Sequence, residues 1–431
     1  MSVEFKLVPK DKNETEVIFG SRIIDEPSIE AAAPDTLRGW MVVGGSFFLL
    51  MMVTGYTNSF GVYLQEYQLN VFPSTSSSTL SWIGSLQFGC MCLFGVVAGI
   101  LVERYMSQII IAIGGILMGA FLLVSSACNS PIALLFTQGI LFGISGSLLL
   151  IPAMSLPGQW MEKHRALATG ISVSGGSLGG LWMSFAIRAM VSKLGWQWSL
   201  RITGLIIATV SVAISPLMKK RIQLPRRHKI IDVQMLRSSY FVVLFFAALF
   251  ACGAYYMPYY FMPSFSVVAL SMSEEWGANI SSILNASSIV GRIATGMLAD
   301  RIGTLNTLFI SFSISTASIL ALWLPFKTLG TLVASAVVFG FTSGSIVSLL
   351  PVAIAELFGV ERIPSTLGLV YISYTIGTFI SSPVGGVLLD VYGHGTNYTP
   401  LIIYSGMFFL VAAFLIGVLR LMISKHIFAK F

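Results

Sequence analysis

One helical stretch, residues 281–303, carries the clearest chemistry in the sequence. Four of its polar residues are spaced by four, three and four positions, so they share one helical face: Ser281, Asn285, Ser288 and Arg292. A cation at membrane depth costs about 3 kcal/mol or more, so it normally faces a protein interior or a water-filled cavity. Because a guanidinium holds a carboxylate through two hydrogen bonds, Arg292 is predicted to anchor an organic anion. The alternative is that its side chain reaches the headgroups at the membrane surface.

Three amide side chains in apolar surroundings are candidates to complete a binding site. Asn58, Gln87 and Asn285 can each donate hydrogen bonds to a carboxylate or a ring carbonyl. The alternative is that they join neighbouring helices to one another.

Tyrosines supply the second group of candidates. Tyr255 and Tyr256 are the deeper members of a tyrosine cluster and are predicted to line an outer gate, the alternative being an aromatic belt at the membrane interface. Tyr371 and Tyr374 are three residues apart and share a helical face. They are predicted to line the substrate pocket, with helix packing as the alternative.

Long apolar helices must position these residues. The chain has 431 residues, of which 55% are hydrophobic and only 10% are charged, whereas a soluble domain is about 25% charged. A membrane helix needs about 20 mostly apolar residues. Twelve such spans are predicted, at residues 39–64, 80–102, 107–127, 131–156, 165–190, 198–217, 239–263, 278–299, 304–324, 330–355, 364–389 and 399–422. The sequence therefore predicts an all-α, polytopic protein of the lipid bilayer.

The basic residues orient these spans. Of the 25 Lys and Arg residues, 20 fall on the side of the two chain ends, four fall on the opposite side, and Arg292 lies within a span. Because Lys and Arg accumulate in cytosolic loops, both termini are predicted to be cytosolic. The same rule accounts for the net charge of +7, so no nucleic-acid partner is inferred. The plasma membrane is the predicted location, with the vacuole or another internal membrane as the alternative.

An internal repeat divides the chain. The turn Gly99-Ile-Leu-Val-Glu103-Arg104 returns 197 residues later as Gly296-Met-Leu-Ala-Asp300-Arg301. Parallel repeats of six helices with a site between them are typical of transporters. The predicted division is a flexible cytosolic tail, a six-helix bundle, a basic cytosolic linker, a second six-helix bundle and a cytosolic tail, at residues 1–37, 38–217, 218–238, 239–424 and 425–431. The linker is read as a topogenic connection, the alternative being a lipid-binding or regulatory patch.

The duplicated turn resembles the loop motif of the major facilitator superfamily, which lies between spans 2 and 3 and again between spans 8 and 9. That resemblance implies a gating or structural role, instead of ligand binding, for the charged residues of both turns: Glu103, Arg104, Asp300 and Arg301. Plain topogenic charge is the alternative. Glu356 and Arg362, at the cytosolic ends of spans 10 and 11, are predicted to form an inner salt bridge that closes in one state.

A closer resemblance is to the monocarboxylate transporter family, especially its fungal branch. It rests on residues 34–43 at the entry to span 1, on 159–179 at the start of span 5, and on 285–292. The chain departs from the family pattern at three places. Thr36-Leu37 replaces the glycine pair of the family's entry motif, and Asn58 and Ser288 stand where the animal members have a lysine and an aspartate. These changes favour a fungal relative with a different, larger substrate.

Other chemistries lack the residues they need. The four cysteines fall in apolar runs and are read as buried small residues, with no metal or disulfide role. The sequence has no nucleophile–base set or phosphate loop, so neither an enzyme nor a cofactor is predicted. No acidic residue lies in the middle of a span. A proton is therefore a candidate coupling ion only if Glu103, Asp300, Glu356 or the substrate carboxylate carries it.

The sequence as a whole predicts a major facilitator transporter of the monocarboxylate-like type. It would move a small organic anion by alternating access, as a secondary active symporter or a facilitative carrier, and would act as a monomer. Two alternatives are an exporter of a larger secondary metabolite and a non-transporting nutrient sensor.

Overall fold

A computed structural model describes residues 6–11, 14–18, 33–75, 77–222, 236–325, 328–394 and 397–423. Twelve long helical stretches, called spans 1 to 12 in chain order, account for nearly all of them. Span 1 consists of Leu37–Asn58, Phe60–Glu66 and Tyr67–Val71. Span 2 consists of Ser77–Leu93 and Gly95–Arg104, and span 3 is Ser107–Ser125. Span 4 consists of Pro131–Leu134, Leu135–Leu141 and Phe142–Trp160. Span 5 is Arg165–Leu194, and span 6 consists of Trp196–Ile214 and Ser215–Leu217.

The second six spans follow the same pattern of long helices and short turns. Span 7 is Ser239–Val268 and span 8 is Glu274–Ile302. Span 9 consists of Thr304–Ala317 and Ser318–Trp323. Span 10 consists of Leu329–Ser343 and Ser345–Phe358. Span 11 consists of the turn Val360–Arg362 followed by Ile363–Val387 and Leu388–Tyr392, and span 12 is Thr399–Ile423. All twelve predicted spans coincide with helices, and most helices extend a few residues beyond the apolar run.

Ten of the twelve are both long and apolar enough to cross a membrane, within the described ranges. Spans 5 and 8 have the length, at 30 and 29 residues, but they are richer in small and polar residues. The two least apolar spans pack against each other, which keeps their polar faces away from lipid.

A short antiparallel hairpin precedes the spans. Strand β1, Lys6–Asp11, pairs with strand β2, Glu14–Ile18, with Lys6 opposite Ile18. It lies within the segment 1–37 that the sequence suggested to be a flexible tail. Residues 223–235 of the predicted linker and the predicted tail 425–431 lie outside the described residues.

Side-chain contacts show that successive spans run antiparallel. At one end, called the inner end because it is predicted to be cytosolic, the start of span 9 meets the ends of spans 10 and 12. Thr304 donates to Glu356 at 2.6 Å, and Arg420 donates to Asn306 at 2.8 Å. At the opposite, outer end, the end of span 7 meets the start of span 12, where the Ser264 and Tyr398 hydroxyls are 2.7 Å apart.

Glycines let the first six spans approach the last six closely. A methyl group on Gly170 of span 5 would collide with the Arg292 carbonyl oxygen of span 8, and one on Gly99 of span 2 would collide with the Pro364 carbonyl oxygen at the start of span 11. Such small residues allow helix backbones to touch in a bilayer. The candidate site lies beside the crossing of spans 5 and 8.

Candidate functional site

Arg292 lies in the interior of the protein, at the crossing of spans 5 and 8. Only 7% of its surface is exposed. One terminal nitrogen donates to the Val173 carbonyl oxygen of span 5 at 2.8 Å, and the other donates to the Tyr255 hydroxyl of span 7 at 3.3 Å. The structure thus has the guanidinium directed between helices of the protein interior. The charge joins the two halves of the chain, although neither partner is an anion.

Four buried polar atoms on spans 7, 8 and 10 make no hydrogen bond of normal geometry within the described residues. They are the Nε of Arg292 itself and the hydroxyl oxygens of Ser288, Tyr259 and Ser343. A methyl group added to Gly344 would lie 2.9 Å from the Ser288 oxygen and 3.1 Å from the Arg292 Nε, so both atoms border the same glycine. Buried polar groups are normally hydrogen-bonded. This concentration of unused donors and acceptors suits a polar ligand.

Spans 7 and 10 carry the other two hydroxyls. The Tyr259 hydroxyl is close to Arg292 and to the hydroxyls of Ser288 and Tyr255, but it is not aligned for a hydrogen bond with either hydroxyl. The Tyr259 ring packs against Phe339, with centroids 6.1 Å apart. Ser343 follows Phe339 by one helical turn, so it shares the face directed at span 7. We call Arg292, Ser288, Tyr259 and Ser343 the Arg292 cluster.

Aromatic rings surround the Arg292 cluster. Tyr255 contacts both Tyr256 and Tyr259 with ring centroids 5.0 Å apart, and Tyr256 packs against Phe88 of span 2 at 5.8 Å. Tyr256 therefore contacts the opposite half.

The span 11 pair lies in the same region. The Tyr371 and Tyr374 rings are 4.9 Å apart and buried, and the Tyr374 hydroxyl donates to the Ile346 carbonyl oxygen of span 10 at 3.2 Å. Tyr371 is within electrostatic range of Arg292. The structure thus brings Arg292, Tyr255 and Tyr371 together.

The three predicted amides occupy different environments. Asn58 is exposed and lies against Gly180 of span 5. Gln87 is fully buried, and neither of its amide atoms has a hydrogen-bond partner in the described ranges. Asn285 donates to the Ser281 carbonyl oxygen of its own helix at 2.9 Å. Their predicted contact with substrate stays a prediction.

Charged residues at the inner end join the two halves in a repeated pattern. Asp300, at the end of span 8, accepts from the Ala166 and Leu167 amides at 2.9 Å each, at the start of span 5. Glu103, at the end of span 2, accepts from the Ser365 amide at 3.1 Å, at the start of span 11. A carboxylate at a helix N-terminus is stabilised by the unpaired amides and the helix dipole.

The neighbouring charges of the inner end are arranged differently. Arg104 and Arg301, the partners of Glu103 and Asp300 in the repeated turns, are both exposed. Glu356 accepts from Thr304, and Arg362 immediately precedes the main helix of span 11, where its carbonyl oxygen accepts from the Ser365 hydroxyl at 3.4 Å. The gating roles predicted for these residues remain predictions.

Sequence reasoning missed Tyr259 and Ser343. Tyr259 is one helical turn beyond Tyr255, and that spacing is the only signal that would have indicated it. Ser343 looks like any other serine in an apolar helix. Among the described residues, no three His, Cys, Asp or Glu side chains are grouped to hold a metal ion.

Comparison with known proteins gives consistent matches over most of the chain. The model of the Major Facilitator Superfamily matches residues 39–326 and 280–426. The "MFS-type transporter opdF" of Penicillium oxalicum is 31% identical over 92% of this chain and 95% of its own length. The "Aspyridones efflux protein apdF" of Emericella nidulans is 33% identical over 85% of this chain and 75% of its own. The "Agnestins efflux protein AgnL12" of Paecilomyces divaricatus is 29% identical over 92% and 90%.

A solved structure with the same architecture is that of FucP, the fucose:proton symporter of Escherichia coli. Its TM-score is 0.67, with 16% sequence identity over 88% of this chain and 98% of that one. At that identity the match concerns the fold alone.

Proposed function

The chain belongs to the major facilitator superfamily of membrane transporters, and on this premise we propose that it exports an organic acid of the secondary-metabolite type. The observation that carries the proposal is the Arg292 cluster, a buried cation with three hydroxyls whose hydrogen bonds are unused within the described residues. The acidic oxygen of the substrate would bind the guanidinium, and its other polar atoms would meet the hydroxyls of Ser288, Tyr259 and Ser343.

The surroundings of the cluster favour a substrate larger than a short monocarboxylate. Tyr255 and Tyr371 lie close to Arg292, and their rings pack against those of Tyr256 and Tyr374. Aromatic faces suit a flat, unsaturated body. The residues that would serve a small proton-coupled acid are replaced by Asn58 and Ser288. The efflux proteins of Emericella nidulans and Paecilomyces divaricatus support outward movement of such a molecule here.

Alternating access would involve the inner-end caps. Asp300 and Glu103 each hold a helix start of the opposite half, so opening the inner end requires both contacts to break. Substrate would then reach the Arg292 cluster from the inner end, which we place in the cytosol of a plasma-membrane protein. The carboxylates at this end are separate from Arg292, so a coupled proton would be carried by Glu103, Asp300, Glu356 or the acid group of the substrate.

A ligand panel tests the substrate class. Purified protein is heated with aromatic and enolic acids, with their methyl esters, and with short acids such as lactate. A ligand at 100 times its Kd stabilises the folded state by about 2.7 kcal/mol. We expect the larger acids to raise the melting temperature and the esters to have no effect. Equal stabilisation by an acid and its ester would contradict the role of Arg292.

A second candidate is uptake of a small monocarboxylate. The resemblance of residues 159–179 to the signature of the monocarboxylate transporters favours it. The direction of transport separates the two. A yeast strain expressing the exporter retains less of a preloaded aromatic acid, whereas an importer restores growth on a short acid as the carbon source.

A further inference from the structure

The segment that leads into span 1 contacts the turn that leads into span 5. Asp35 accepts from the Glu162 and Lys163 amides at 3.2 and 3.1 Å, and its own amide donates to the Trp160 carbonyl oxygen at 3.0 Å. Three hydrogen bonds therefore join one residue to the turn between spans 4 and 5. Arg38, in the first turn of span 1, adds a further contact, because its guanidinium lies 5.4 Å from the centre of the Trp160 ring.

The backbone at Asp35 is adapted to this contact. Its φ angle is +55°, in the left-handed region. Among residues with a Cβ, that region is entered mostly by Asn and Asp. Contacts to another part of the chain hold this unusual conformation in place. Asp35 therefore does more than connect the preceding segment to span 1.

The turn held by Asp35 leads directly into the contact between Asp300 and the start of span 5, which we call the inner gate. Asp300 of the opposite half binds the amides of Ala166 and Leu167, beginning three residues beyond the last amide bound by Asp35. Between the two, the Arg165 side chain donates to the Gly158 and Met161 carbonyl oxygens at 3.0 and 3.1 Å. The start of span 5 is thus held by one carboxylate from its own half and by another from the opposite half.

We propose that Asp35 is a positioning residue of the inner gate. By holding the turn before span 5, it presents the Ala166 and Leu167 amides in the geometry that Asp300 binds. Loss of the Asp35 carboxylate would therefore weaken the hydrogen bonds between Asp300 and these two amides. The effect would be indirect, because it needs no contact between Asp35 and the opposite half. The second cap, from Glu103 to Ser365, involves different helices and should not depend on Asp35.

A cysteine at position 166 reports on this gate. Ala166 is 1% exposed, so Ala166→Cys should react slowly with a soluble maleimide while the inner end is closed. Of the native cysteines, Cys90, Cys92 and Cys252 are buried, and Cys128 is replaced by serine in the parent chain. The full-length protein is labelled in detergent without substrate. The result is therefore independent of the proposed export function.

The test is a pair of double-mutant cycles. Asp35→Asn keeps the left-handed backbone preference but removes the charge and one acceptor. Loss of one such hydrogen bond costs about 1 kcal/mol, so labelling should accelerate about fivefold. In the Asp300→Asn background the same change should accelerate labelling less than about twofold, because the contact it supports is already weakened. In the Glu103→Gln background it should again give about fivefold.

The controls separate gate positioning from general destabilisation. The labelling rate of the Asp300→Asn background must stay below that of an unstructured cysteine peptide, so that a further increase is measurable. Size exclusion and the melting temperature check folding, and Asp35→Gly, which also accepts a positive φ, serves as the second variant. Equal acceleration in both backgrounds, or none in the parent with either variant, would overturn the proposal.

Discussion

Two buried clusters contain similar side chains but differ in whether their hydrogen bonds are made. The first lies within the first six spans, near the outer end. Gln138 donates to the Tyr56 hydroxyl at 2.8 Å and accepts from the Tyr67 hydroxyl at 2.9 Å. Tyr63 and Ser199 share a hydrogen bond of 2.8 Å. All five residues are completely buried, and we call them the Gln138 cluster.

The Arg292 cluster is also buried and also built from tyrosine, serine and one strongly polar residue, yet four of its polar atoms lack partners in the described ranges. A completed network stabilises one arrangement of helices, whereas an incomplete one carries a desolvation cost that a ligand can remove. The contrast indicates that the first cluster supports the fold and favours the second as the substrate site.

The largest effect should come from Arg292→Ala. The variant removes a hydrogen bond between charged groups, worth about 3 kcal/mol, so substrate affinity should fall at least about 100-fold. The melting temperature should change little, because the charge lacks an anionic partner among its described contacts. Isothermal titration with the acid found in the ligand panel measures the first quantity, and calorimetry measures the second. Arg292→Lys is the matched control. Unchanged affinity in Arg292→Ala would contradict the assignment of the Arg292 cluster as the substrate site.

The opposite outcome is expected for Gln138→Leu. This change leaves the Tyr56 and Tyr67 hydroxyls buried without their amide partner, at about 1–3 kcal/mol each. The melting temperature should therefore fall by several degrees, while affinity for substrate in the folded protein stays within about twofold. Gln87→Leu is a control of the same size and burial, because Gln87 has no hydrogen bond to lose in the described residues and should show no such fall. Loss of affinity in Gln138→Leu would extend the binding site to this cluster.

The sequence predicted the twelve spans because apolar runs of membrane length leave few other structures. It also predicted that Arg292 faces inward, since the spacing of Ser281, Asn285 and Ser288 marks one helical face. The partners of Arg292 could not be predicted from the sequence, because Val173 contributes a backbone carbonyl that any residue could supply.

Contacts between distant segments were the other limit. Residues 34–43 were noticed as a motif, but the contact that this segment makes with the turn before span 5 depends on how spans 1, 4 and 5 pack. The same holds for Tyr259 and Ser343, whose residue types are common in these helices. Whether a buried hydroxyl has a partner is a property of the assembled helices, so Tyr56 and Tyr259 look alike until the neighbours of each are known.

The smallest and most discriminating effect concerns Ser343→Ala and Ser288→Ala. Each hydroxyl is buried and lacks a partner among the described residues, so its removal should leave the free energy of unfolding unchanged or raise it by up to about 1 kcal/mol. If the same hydroxyl meets the substrate, affinity should fall about three- to tenfold, the value of one neutral hydrogen bond. Ser199→Ala is the matched control, because its hydroxyl bonds Tyr63; it should lose stability and keep affinity. Only a ligand site predicts opposite signs for chemically identical substitutions, and a loss of stability in all three variants would show that both clusters are structural.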